Sequence, residues 1–184
     1  MKKRQIIILC LINIFVLFFG ACNSDYDIDQ LYKITENGNS TYDYVIKDKN
    51  NNVLINGKDI SKEPKVNILN EDLLSISVQT GTGISTKWTI YCNVNSGKVS
   101  DAYYSVLGEV DEKVVFVKYD NGNHCVVMRD VFNKEEYFKE VVLEDTSKTT
   151  DPVVDFVKID ADKFKIVFLK GEDHTETEKI IELN

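Results

Sequence analysis

The stretch TKWTIYCNV, residues 86–94, decides how this chain is read. Trp88, Ile90, Cys92 and Val94 form one apolar row, while Lys87, Thr89 and Asn93 leave the opposite side. Successive side chains of a strand point to opposite faces of the pleat, so strict alternation predicts a half-buried β-strand. Phe164, Ile166 and Phe168 repeat the pattern, with Val167 and Leu169 making that strand apolar on both faces.

Outward from these strands the punctuation is that of hairpins. Asp120-Asn121-Gly122 separates Val114–Tyr119 from His124–Val131. An Asn-Gly pair supplies the positive φ angles that a tight two-residue turn requires. Asn95-Ser96-Gly97 and Asp160-Ala161-Asp162 serve less strictly, and Asn51-Asn52 with Asn56-Gly57 punctuate a first hairpin. Pro64 and Pro152, the only prolines, fall at expected element boundaries. Asn133–Leu143 carries two signals. Asn133 and Glu136 have the spacing of a helix cap, yet Tyr137–Leu143 is rich in aromatic and branched residues, and we read a strand after a turn.

A weak internal echo accompanies the alternation. Leu73–Gly81 aligns with Val114–Gly122, and Lys163–Gly171 repeats the form, at spacings of 41 and 49 residues. Such spacings suit meanders of a curved sheet or blades of a propeller, and the chain is too short for a complete propeller of ordinary blades. The expected fold is all-β: an antiparallel meander or sandwich, partial-propeller-like, in one domain over residues 41–184.

The N-terminus is of another kind. Met1-Lys2-Lys3-Arg4-Gln5 is cationic, and the 15-residue run from Ile6 to Gly20 is apolar apart from Asn13. A membrane-spanning helix needs about 20 apolar residues. This run is shorter and has the flanks of a secretory signal. It ends in Phe19-Gly20-Ala21-Cys22. Residues 1–22 thus resemble the signal and lipobox of a bacterial lipoprotein precursor, with Phe19 where the family places an aliphatic residue. The remainder is similar in texture to small lipoproteins of low-GC Gram-positive bacteria. The resemblance implies a signal peptide over residues 1–21, cleavage before Cys22, and a diacylglyceryl thioether on Cys22. It implies a lipid-anchored protein at the extracytoplasmic face of the cell membrane. Asn23 to about Ser40 is polar, and residues 22–40 are expected to form a flexible tether, with a short helical turn near Asp29–Ile34.

Charge narrows the partners. The whole chain has a formal charge of −8, and loss of three basic residues with the signal makes it −11. An acidic chain does not bind nucleic acid by neutralising phosphates, nor anionic lipid through a polybasic patch. The membrane is reached through the lipid on Cys22, and a protein or a glycan is the expected partner.

Chemistry-bearing residues are sparse. Of the four cysteines, Cys10 leaves with the signal and Cys22 carries lipid, which leaves Cys92 and Cys125. Two readings stay open for them: a disulfide, which persists outside the cytoplasm, or two buried free thiols. Asp25, Asp27, Asp29 and Glu36 fall at positions 1, 3, 5 and 12 of a calcium-loop pattern, but Gln30 replaces the glycine that makes its sharp turn. The only histidines, His124 and His174, lie on separate strand-loop units, which does not make the spaced ligand set of a metal site. Tyr42, Tyr44, Trp88, Tyr91, Tyr103, Tyr104 and Tyr119 follow strand alternation, which favours packing over stacking on a ligand. Gly81-Thr82-Gly83 lacks the third glycine of a phosphate loop. No nucleophile elbow, P-loop, His-Glu-x-x-His or Cys-x-x-Cys occurs. No catalytic residue, metal ligand or cofactor is therefore assigned. The expected function is binding or interaction, with an envelope-glycan hydrolase and an inhibitory or protective lipoprotein as alternatives.

Overall fold

A computed structural model of the chain describes residues 27–80, 87–110, 112–133, 135–149, 152–160 and 163–182. The signal segment, the lipobox, Cys22, Asp25, Gly81-Thr82-Gly83 and Ala161-Asp162 lie outside the described residues.

Alternation and turn chemistry build four antiparallel meanders in chain order. The first sheet is β1 (Tyr32–Glu36), β2 (Tyr42–Lys47) and β3 (Val53–Ile60). The second joins β4 (Lys65–Ile68), β5 (Leu73–Gln79), β6 (Lys87–Asn93) and β7 (Lys98–Val99), with β8 (Tyr103–Tyr104) also on β6. The third is β9 (Val106–Val110), β10 (Lys113–Asp120), β11 (Asn123–Asp130) and β12 (Tyr137–Leu143), and the fourth is β13 (Val153–Asp160), β14 (Lys163–Lys170) and β15 (Thr175–Glu182). The protein is all-β, as the alternation predicts, and the described strands close no barrel or propeller. The internal echo falls on β5, β10 and β14, the second strand of three successive meanders.

Consecutive sheets are joined by three cores. Leu31, Tyr44 and Ile46 of the first sheet region meet Leu74, Ile76, Val78, Cys92 and Val94 of the second. Leu73, Tyr91 and Tyr103 meet Val114 and Val131 between the second and third. Val110, Val115, Val126, Met128 and Leu143 meet Phe164, Ile166, Phe168 and Ile181 between the third and fourth. The two middle sheets are therefore covered on both faces. That corrects the reading of residues 86–94. The Trp88-Ile90-Cys92-Val94 row faces the first core as expected, but Thr89 and Tyr91 on the other face are buried too.

Several local expectations hold. Asn121 and Gly122 take φ of 49° and 85° and close the β10–β11 hairpin, where Asp120 pairs with Asn123. Pro64 precedes β4 and Pro152 precedes β13. The ambiguous segment is a single turn followed by β12. Asn133 accepts from the Glu135 amide at 3.2 Å, but the helix its cap would start does not form, because Tyr137–Leu143 pairs with β11.

Two expectations are revised, and one open alternative is resolved. The tether predicted for residues 22–40 is folded from Ile28 onward: Ile28–Leu31 is a 3-10 turn and β1 follows, with Tyr32 beside Ile46 and Ile34 beside Tyr44. Polar composition hid a strand whose inward residues are only Tyr32 and Ile34. Asn56-Gly57 is not a turn and lies within β3. The Tyr44 ring covers Gly57 so closely that a Cβ there would sit 2.3 Å from the ring, which explains glycine in mid-strand. Of the two readings left open for Cys92 and Cys125, the structure has the buried free thiols. Cys92 points into the core between the first and second sheets, away from the third sheet that carries Cys125. Burial pushes the Cys92 thiol up to about 12, leaving it inert at neutral pH.

Candidate functional site: a cleft pinned by two histidines

The segment between β12 and β13 begins Glu144-Asp145-Thr146-Ser147-Lys148-Thr149, which is too polar to continue a strand. Backbone bonds hold it against the end of β14. Thr146 bridges to Lys170, the Ser147 amide donates to Leu169 O at 2.9 Å, and the Gly171 amide donates to Asp145 O at 2.7 Å. Asp145 takes a φ of 52° to make this corner.

The two histidines hold the segment from opposite sides. His124 is at the start of β11, just after the Asn-Gly turn, and is buried; its Nδ1 shares a hydrogen bond of 2.9 Å with Thr146 Oγ1. His174 is in the turn between β14 and β15 with a φ of 54°; its Nδ1 shares one of 2.7 Å with Ser147 Oγ. Ser147 is only 1% exposed, so this bond satisfies a hydroxyl that has little access to water. The turn carrying His174 is itself braced. Thr175 donates to Asp173 Oδ2 at 2.6 Å and holds that carboxyl below its usual range. Gly171 takes a φ of 70°, a left-handed conformation that glycine adopts without strain.

Two cavities open on either side of this segment. One, of about 630 Å³, is lined by Tyr119, Asn123 and His124 from the β10–β11 hairpin and by Thr146, Ser147 and Thr149. The other, of about 520 Å³, shares the segment and adds Gly171, Glu172 and His174. At the mouth of the first, Tyr119 is 68% exposed, and its ring lies against His124 with centroids 5.0 Å apart and planes at 59°. Asp145, Lys148 and Glu172 supply the charge, and Asp145 is 3.7 Å from Lys170. The Thr149 hydroxyl is shielded and makes no hydrogen bond among the described residues.

The residues singled out in the sequence fare differently. His124 and Tyr119 line one cavity and His174 the other, on either side of the same segment, although 50 residues separate the two histidines. The remaining aromatics divide: Tyr44, Tyr91 and Tyr103 are core, Trp88 packs half-buried against the first core, Tyr42 is half-buried in β2, and Tyr104 is exposed outside this cleft. Of the calcium-loop pattern, Asp27 accepts from the Asp29 amide at the 3-10 turn, Asp29 accepts from the Tyr32 hydroxyl, and Glu36 ends β1. Among the described residues no three His, Cys, Asp or Glu side chains gather to hold a metal. Sequence reading missed Thr146, Ser147 and Thr149; the hydroxyl-rich run TSKTT, residues 146–150, was the available signal.

The arrangement is a poor nucleophile site. Ser147 is buried, and its partner is the Nδ1 of His174, the nitrogen that an orienting carboxylate holds in serine hydrolases. No helix among the described residues is long and apolar enough to cross a membrane. Comparison with protein-family models, curated proteins and solved structures finds nothing that matches this chain.

Proposed function

We propose that this protein is a binding module held at the extracytoplasmic face of the membrane by lipid on Cys22, and that the cleft around Asp145–Thr149 is its recognition site. One observation carries the site. Both histidines of the chain, from different sheets, fix one hydroxyl-rich segment between two cavities. Cavities of this size are in the range of small-molecule sites. The lining offers hydrogen-bonding groups and an exposed ring without a reactive pair, which suits holding a ligand rather than transforming it.

The anchor rests on the lipobox residues Phe19-Gly20-Ala21-Cys22. Cys22 is five residues from Asp27, a reach of at most about 18 Å. The domain then rides close to the bilayer, with the first sheet nearest the anchor along the chain. Two or more acyl chains hold stably where a single one holds weakly. Mass spectrometry of the membrane fraction is expected to find a mature N-terminus at Cys22 carrying a diacylglyceryl group. A Cys22→Ser protein that stays as firmly membrane-associated as the parent defeats the anchor.

An envelope-glycan hydrolase is the second reading, motivated by Asp145 and Glu172 at one cavity. Both are exposed, whereas a general acid is usually set in an apolar pocket that raises its pKa. Turnover of cell-wall glycan that Glu172→Gln and Asp145→Asn both abolish would favour that reading over binding.

A further inference from the structure

We infer that the ligand of this cleft is a neutral oligosaccharide, docked with one sugar ring on the face of Tyr119. The inference rests on the cleft being the recognition site and adds the chemical class it takes.

Three features of the cleft point to a sugar. The first is Tyr119. A large ring left 68% exposed at a hairpin tip buries little of its apolar face, yet it is held against the buried His124 ring at 5.0 Å. The Asn121-Gly122 turn fixes the strand that carries His124, so the platform is formed before any ligand arrives. Sugar rings present an apolar C–H face that packs on aromatic rings, while their edges are hydroxyls.

The second feature is what surrounds that ring. Asn123 lines the same cavity, as do the hydroxyl residues Thr146 and Thr149. Neutral amide and hydroxyl groups donate and accept in equal measure, as sugar hydroxyls do.

The third feature is charge. Lys148 is set against Asp145 and Glu172 in the lining, and Asp145 is already near Lys170. Among the described lining residues no run of cations converges to hold a phosphate or carboxylate, which argues against an anionic ligand. The second cavity, across Ser147, extends the site past a single ring and makes an oligomer the better fit.

The test is calorimetric titration of the full chain, purified in detergent, with three probes: N-acetylglucosamine trimer, maltotriose and inorganic phosphate. Saturable binding of at least one oligosaccharide is expected, weakened about tenfold by Tyr119→Ala and little changed by Tyr119→Phe, since the ring and not its hydroxyl does the stacking. Tyr119 is outside every core, so both variants are expected to fold. Phosphate binding without oligosaccharide binding overturns the sugar class and leaves the binding-module reading standing. Oligosaccharide binding that survives Tyr119→Ala puts the sugar elsewhere and overturns the inference. Silence from all three probes overturns it as well.

Discussion

Two polar networks in this molecule use similar groups to opposite ends. Between the second and third sheets, Tyr91 donates to Glu109 at 2.7 Å, Tyr103 donates to Val131 O at 2.9 Å, and Arg129 Nε donates to the Tyr103 hydroxyl at 3.2 Å. The Arg129 guanidinium lies 4.8 Å over the Tyr103 ring, and Tyr103 stacks edge-on against Tyr91 and Phe116. Between the third and fourth sheets, His124 and His174 bind Thr146 and Ser147. The first network is sealed, its two phenol rings buried. In the second, Ser147 and His124 are buried, but Thr146 and the exposed His174 open it onto two cavities. A sealed network contributes to stability by satisfying groups that water cannot reach. An open one holds the shape of a cavity that a ligand can enter. The difference lies in access, not in the kinds of bond.

That comparison predicts a graded set of outcomes. Tyr91→Ala empties a fully buried site and orphans Glu109, so chemical unfolding should show a loss of about 3–5 kcal/mol; a loss below about 1 kcal/mol would mean the network is not sealed. Tyr103→Phe keeps the ring and the cation stack but removes a donor from Val131 O and an acceptor from Arg129. Its expected cost is about 1–2 kcal/mol by the same measurement. Ser147→Ala should cost less, about 0.5 kcal/mol, because its partner His174 is exposed and can turn to water. It should nevertheless weaken ligand binding, since it releases one of the two pins on the segment. Tyr119→Ala should leave stability within about 0.5 kcal/mol while lowering affinity. An equal loss of stability from Ser147→Ala and Tyr103→Phe would erase the distinction between the two regions.

The fold was legible where one residue pattern dictated one geometry. The alternation of residues 86–94 and the Asn121-Gly122 pair gave strand and turn because period and positive φ are local properties. Tyr91 was harder. Whether a strand is covered on one face or two depends on the sheet that arrives later in the chain, and the third sheet is what buries Tyr91. β1 was missed because an edge strand of five residues needs few apolar positions. Gly57 read as a turn because the ring of Tyr44 that demands it is thirteen residues away.

The cleft was legible only in pieces. Each histidine looked isolated, since separations along the chain say nothing of the meander that stacks the third sheet on the fourth. The hydroxyls of Thr146, Ser147 and Thr149 were indistinguishable from an ordinary polar loop. Their role follows from contacts with β14 and with both imidazoles, which are tertiary facts.

The ligand is expected in the cleft whose two cavities His124 and His174 line, and the chain carries its own reporter for it. His124 and His174 are the only histidines, so the imidazole C–H signals in a proton NMR spectrum of the untagged protein come from this cleft alone. Titration with the oligosaccharide that binds in calorimetry should shift both signals along one saturation curve. Binding that leaves both signals where they were would contradict the account.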